Sequence, residues 1–162
     1  MTENKTIIRP ATLSDTDSLV DLLRELFGIE RDFEFDARKQ ERGLRRMAAD
    51  ASGERCILVA EREGKILGMC SAQVLISTAE GGPAAMVEDM VVFREYRGTG
   101  TGKALLDAIV SWAEASGITR LQLLADKDNE TALAFYEHIG WRPTGLICLR
   151  RKIIRNEGIG NI

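Results

Sequence analysis

Arg97-Gly98-Thr99-Gly100-Thr101-Gly102-Lys103 decides the fold, because it is a glycine-rich turn set between an apolar strand and an amphipathic helix. Upstream, Val87-Glu88-Asp89-Met90-Val91-Val92 forms the body of a strand predicted from Ala85 to Phe93. Downstream, Leu105, Ile109 and Trp112 fall on one face of a helix predicted from Gly100 to Ser116, with Gly117 ending it. Three ways of holding a phosphate compete for such a turn. A Walker loop, G-x-x-x-x-G-K-[ST], would need glycine at Arg97 and a hydroxyl at Ala104, so it fails twice. A dinucleotide fingerprint, G-x-G-x-x-G, meets Lys103 when counted from Gly98 and Leu105 when counted from Gly100. The pattern R/Q-x-x-G-x-G/A fits, as Arg97-x-x-Gly100-x-Gly102. Its physics suits a pyrophosphate: glycines let backbone approach the oxygens, and N–H groups converge at a helix N-terminus. Arg97 and Lys103 add positive charge.

Working outward, Thr6-Ile7-Ile8-Arg9-Pro10 reads as a short strand stopped by proline. Ser14 is the expected N-cap of a first helix whose stripe is Leu19, Leu22, Leu23, Leu26 and Phe27. The chain then turns acidic through Glu25, Glu30, Asp32, Glu34 and Asp36, before a second, Arg- and Lys-rich helix from Asp36 to Ala51. From Cys56 the pattern is that of a hairpin, with Glu63-Gly64-Lys65 as the tight turn and Ile66 to Ile76 as the return strand. Beyond the glycine-rich turn and its helix, Leu121-Gln122-Leu123-Leu124 is a strand and Asn129 to Ile139 a helix ended by Gly140. Trp141 to Lys152 is expected to hold one or two terminal strands. The order β-α-α-β-β-β-α-β-α-β makes this a mixed α/β fold: a central, mostly antiparallel sheet with helices on both faces.

Composition excludes several classes. With 162 residues, 44% of them hydrophobic and 29% charged, the chain is one ordinary globular domain. A net charge of −3 argues against a nucleic-acid-binding surface. Cys56, Cys70 and Cys148 are odd in number and form no C-x-x-C pair, so free thiols in a reducing compartment are expected. No apolar run approaches the roughly 20 residues of a membrane span, and Met1-Thr2-Glu3-Asn4-Lys5 has no secretory character, so a cytoplasmic protein is expected. His138 is the sole histidine, which excludes His-rich metal sites; no metal is expected.

A second motif gives the turn its meaning. Asn129-Glu130-Thr131-Ala132-Leu133-Ala134-Phe135-Tyr136-Glu137-His138-Ile139-Gly140-Trp141 resembles the N-x-x-A-x-x-[FL]-Y-x-x-x-G-[FW] segment of the GNAT superfamily of acyl-CoA N-acyltransferases. The strand and turn upstream resemble that superfamily's coenzyme A motif. The likeness is strong over residues 85–143 and extends to the first 75 residues only in element order and in Ile8-Arg9-Pro10-Ala11. The resemblance implies a single N-acetyltransferase domain over residues 1–155, and the Gly-rich residues 156–162 are expected to form a frayed tail. It implies acetyl-CoA as co-substrate, with its pantetheine arm on the backbone of Met90, Val91 and Val92. A free N–H near Val91 or Val92 would bind the oxyanion. The pyrophosphate would lie on Arg97, Gly98, Thr99, Gly100, Thr101, Gly102 and Lys103, and Asn129 would touch the cofactor arm. Tyr136 would be the general acid for the leaving thiolate. Glu88 would accept the proton of the amine, since alternation puts it with Met90 and Val92 unless a bulge resets the phase. The acidic stretch Glu25 to Asp36 would draw a cationic acceptor.

The expected activity is acetyl transfer to a primary amine of a small molecule by direct attack in a ternary complex. A non-catalytic acyl-CoA-binding module and a peptide or protein N-terminal acetyltransferase are the alternatives. Neither nucleic acid nor membrane is an expected partner, and self-association as a homodimer is left open.

Overall fold

The computed structural model of the protein describes residues 5–30 and 32–153. In chain order the elements are β1 (Ile7–Pro10), α1 (Thr16–Ile29), α2 (Ala37–Ala48), β2 (Arg55–Arg62), β3 (Lys65–Ser77), β4 (Gly82–Val92), α3 (Thr101–Ala115), β5 (Leu121–Leu123) and α4 (Glu130–His138). The strands form one sheet in the order β1-β2-β3-β4-β5. Every neighbouring pair is antiparallel except β4 and β5, which run parallel. The expected mixed, mostly antiparallel architecture is therefore present.

Strand alternation sends successive side chains to opposite faces, and each face buries its own helices. Ile57, Val59, Met69 and Val91 pack with Leu19, Leu22, Leu23 and Leu26 of α1 and Leu44 of α2. Leu58, Ala60, Leu67, Cys70, Val87 and Val92 pack with Leu105, Leu106 and Ile109 of α3 on the other side. Phe135, Tyr136 and Ile139 of the α4 segment join that second cluster from its margin. Each fully buried Leu contributes roughly 1.5–3 kcal/mol by leaving water, which fixes α1 and α3 on the sheet. The β2–β3 hairpin turns on Glu63 at φ 53° and Gly64 at φ 75°, the two positive values a tight two-residue turn requires. No helix among the described residues is long and apolar enough to cross a membrane.

Two expectations need correction. Ser14 does not cap the first helix. A short 3-10 turn, Leu13–Asp15, precedes α1, and Asp15 Oδ2 accepts hydrogen bonds from the Thr12 N–H at 2.7 Å and Thr12 Oγ1 at 3.0 Å. The Arg9 guanidinium fixes the same carboxylate at 2.8 and 3.0 Å, which draws the start of the turn two residues upstream. The second correction concerns the C-terminal segment. Residues 142–153 carry no strand, and Leu146, Ile147, Leu149 and Ile153 are 81–86% exposed. Pro143 cannot donate to a ladder, and Arg150 draws the segment toward the α1–α2 connection instead of the edge of β5. Its guanidinium lies 4.6 Å from the Phe33 ring centroid and donates to the Asp32 carbonyl at 3.4 Å. The expected tail at 156–162 lies outside the described residues. Of the three free thiols, Cys70 is buried, Cys56 half-buried and Cys148 exposed.

Candidate active site

The site begins with a fault in the sheet. β4 pairs with β5 only from Ala85 to Val87, against Leu121 to Leu123. β4 then runs on to Val92 with no partner on that side among the described residues. At the point of departure the register with β3 slips: Cys70 faces Met90 but Ala72 faces Val87. Glu88 and Asp89 together oppose Ser71, which is a β-bulge. Its effect on side-chain phase is visible in the packing. Val87, Met90 and Val92 all join the α3-side cluster, although plain alternation would oppose Val87 to the other two. Glu88 is exposed and, with its phase reset, does not share the face of Met90 and Val92. This corrects the expectation drawn from unbroken alternation.

Asp89 is the bulge residue turned inward. Ser71 Oγ donates to Asp89 Oδ2 at 2.8 Å and accepts from the Asp89 N–H at 3.1 Å. Burial pushes the Asp89 carboxyl above its usual range, against the Ser71 bond that favours ionisation, and Glu88 adds to the rise. Across from it, at the C-terminal end of α1, half-buried Glu30 is pushed up to about 7, first by burial and then by Asp89, Asp126 and Asp32. The expected acidic stretch is thus divided: Glu30 faces the bulge, while Glu25 pairs with Arg97.

The open edge of β4 offers hydrogen-bonding groups. The Phe93 N–H donates to the Leu67 carbonyl at 2.9 Å, so antiparallel alternation turns the N–H of Val91 toward β3 as well. The N–H groups of Met90 and Val92 face the open side. Of the three backbone positions expected to meet the pantetheine arm, Met90 and Val92 point at the cleft and Val91 does not.

The glycine turn closes one end of this edge. Gly98 at φ 73° and Gly100 at φ 83° hold conformations that favour glycine, and a Cβ at either would meet nothing within 4 Å. The turn leads into the first N–H groups of α3, which have no partner within the helix, and such a helix start suits an anion such as a pyrophosphate. Thr99 Oγ1 donates to the Tyr96 carbonyl at 2.7 Å and lies 2.9 Å from Thr101 Oγ1, bracing the loop. Gly102 differs: a Cβ there would stand 3.1 Å from Met90 Cε and 3.4 Å from Phe135 Cζ. It packs α3 against β4 and α4. Both cations of the turn are paired, Lys103 with Asp107 and Arg97 with Glu25, each at 2.6 Å.

α4 closes the other side. Asn129 caps it, its Oδ1 accepting from the Ala132 N–H at 3.1 Å, so that oxygen is committed to the helix. Tyr136 is half-buried, its ring 5.4 Å from Phe135 and 6.2 Å from Trp141. Burial raises its phenol above the ordinary range, with Cys70 and Glu30 adding to the rise, so it stays protonated. Burial likewise pushes the Cys70 thiol up. Ser71 and Gly68 escaped notice in the sequence, and Glu30 was read there only as part of the acidic stretch. A signal existed for the first two: adjacent acids inside an apolar strand, and a glycine inside its neighbour, are marks of a bulge or a close backbone approach.

Comparison with known proteins agrees with this arrangement. The chain matches the acetyltransferase (GNAT) family over residues 16–141. A transcriptional regulator from Bacillus halodurans C-125 superposes with a TM-score of 0.79 at 24% identity, over 92% of this chain and 100% of that one. Glucosamine-6-phosphate N-acetyltransferase from Arabidopsis thaliana gives 0.72 at 22% identity, over 91% and 98%. An aminoglycoside N-acetyltransferase in complex with CoA gives 0.78 at 16% identity, over 91% and 95%. At these identities the structural likeness establishes the fold.

Proposed function

The chain belongs to the GNAT acetyltransferase family, and from that premise we propose that it moves an acetyl group from acetyl-CoA to a primary amine of a small molecule. One observation carries the reading. The free edge of β4 opens at the bulge, with the glycine turn at one end, and Tyr136 packs against the same cluster as Met90 and Val92. Gly98 to Lys103 would hold the pyrophosphate of acetyl-CoA, the open edge at Met90 and Val92 would hold its pantetheine arm, and Tyr136 would serve its sulfur.

Attack is direct. The amine nitrogen bonds to the acetyl carbon, a free N–H of the open edge stabilises the oxyanion, and the C–S bond breaks as Tyr136 gives its phenolic proton to the departing thiolate; the extra proton left on the nitrogen passes through solvent to the Tyr136 phenolate and restores it. The raised phenol of Tyr136 keeps that proton in place until the thiolate forms. No acyl-enzyme is needed, and the buried Cys70, pushed toward the thiol form, is unsuited to forming one. The amine arrives as ammonium. Exposed Glu88 attracts it at the mouth, and Glu30, with its carboxyl near neutral pH, takes the proton before attack. Glu88 was expected in the base role; its turned face favours the holding role instead.

The test is release of free CoA thiol against a panel of small amines, aminoglycosides, amino sugars, polyamines and peptides. Turnover with small amines alone supports the reading. Turnover with peptides alone moves the acceptor to a protein N-terminus. CoA binding without turnover on any acceptor leaves an acyl-CoA-binding module. We also read the chain as a cytoplasmic homodimer. A second copy would cover the apolar side chains of Leu146, Ile147, Leu149 and Ile153, and light scattering at the monomer mass would refute it.

A further inference from the structure

We propose that Glu25 is a positioning residue for cofactor binding, holding the phosphate turn in its binding shape from across the sheet. The inference rests on the acetyl-CoA reading above. Glu25 Oε1 accepts two hydrogen bonds, from the Arg94 backbone N–H at 2.9 Å and from Arg97 Nη2 at 2.6 Å. Arg97 Nε in turn donates to the Val92 carbonyl at 2.9 Å. One carboxylate thereby joins α1, the end of β4 and the loop that leads into α3.

An ordinary surface ion pair adds little, because solvent screens it and two long side chains must be ordered. This one differs in three respects. The Arg94 N–H is main chain, so the carboxylate fixes the course of the loop itself through a charge-assisted bond. Glu25 stands between buried Leu22 and Leu26 on α1, so its own position is set by the core. Arg97 spends one donor on the Val92 carbonyl, which lies on the open edge where the cofactor's arm would run. That carbonyl is satisfied, and the edge presents donors at Met90 and Val92. Arg97, expected to meet the pyrophosphate with its charge, is a strut here, and the anion is left to the backbone N–H groups of the turn.

A strut for the phosphate turn has a signature that general damage lacks: it matters only for ligands that carry the pyrophosphate. Glu25→Ala is expected to weaken CoA about tenfold in titration calorimetry, the loss of charge-assisted bonds that order the loop. With S-acetylpantetheine, which has no pyrophosphate, kcat/KM should stay within about twofold of wild type. Glu25→Gln keeps an acceptor oxygen for the Arg94 N–H, so its CoA affinity should return to within about threefold. Unchanged or tighter CoA binding by Glu25→Ala overturns the proposal, since the carboxylate would then be a surface partner or a repulsive charge. An equal loss with S-acetylpantetheine overturns it as well, by placing the effect in the fold. Wild-type protein that binds no CoA overturns the acetyltransfer reading and this inference together, whereas wild-type-like binding by Glu25→Ala overturns only the inference.

Discussion

Gly68→Ala tests how closely β3 and β4 must approach where the cofactor strand is shaped. Gly68 lies opposite Val92 in the ladder, and its backbone is of a kind any residue can adopt. The difficulty is space. An added Cβ would stand 2.8 Å from the Val91 carbonyl oxygen, 3.0 Å from Val92 Cγ2 and 3.1 Å from Val92 Cα. Two of those three atoms are backbone and cannot swing aside, so β4 must move by several tenths of an ångström. Overpacking of this kind costs about 1–3 kcal/mol, and alanine recovers about 0.4–1 kcal/mol by restricting the unfolded chain. The net loss is about 1–2 kcal/mol, which for a chain of this size lowers Tm by about 2–8 °C. The same displacement shifts the N–H groups of Met90 and Val92, so CoA affinity should fall severalfold. Differential scanning calorimetry and CoA titration read the two effects. Gly43→Ala, in α2 with nothing within 4 Å, is the control and should hold or raise Tm. A Gly68→Ala protein with unchanged or higher Tm would refute the argument that the two strands leave no room for a methyl group.

Tyr136→Phe keeps the ring and removes the proton; kcat should fall by about ten- to a thousandfold with acetyl-CoA KM little changed, as steady-state kinetics would read. Gly100→Val puts a β-branched residue at φ 83° next to the first N–H groups of α3, so CoA affinity should fall at least about tenfold in calorimetry. Gly102→Ala meets mainly the flexible end of Met90, and its loss should stay within about threefold. Glu30→Gln should remove the acidic limb of kcat/KM near pH 7, while Glu88→Gln should keep that limb and raise the amine KM. The folded carboxyl of Glu30 titrates at about 7 against an ordinary 4.5, so the folded state binds the extra proton between those values. Its ionisation therefore costs stability above pH 7, and the cost fades as pH falls toward 4.5. Thermal melts should find Glu30→Gln more stable than wild type at pH 8, by on the order of 1 kcal/mol after solvent screening, with the gap closing at pH 5.

Periodic features were legible in the sequence because each is written locally. The stripe of α1, the hairpin turn at Glu63-Gly64 and the order of the elements through α4 follow from hydrophobic spacing and punctuation, and so does the glycine turn. The carboxylate chemistry was not legible, because it depends on a slip of one residue in a strand. Had β4 alternated without interruption, Glu88 would have faced the cofactor side, as the sequence alone implies. The bulge instead turns Glu88 away and seats Asp89 on Ser71, a partner 18 residues distant in the chain. The same slip marks where β4 and β5 part, so the carboxylates and the free edge arise from one irregularity. Apolar pattern can forecast a strand, but it assigns no energy to an unpaired edge. The C-terminal segment failed for the complementary reason. Leu146, Ile147 and Leu149 have strand character, yet a strand exists only with a partner edge, and Arg150 is held at Asp32 and Phe33 instead. Where a pairing depends on long-range contacts such as Arg150–Phe33 or Glu25–Arg97, the residues that decide it sit in a different element, and local reading has no access to them.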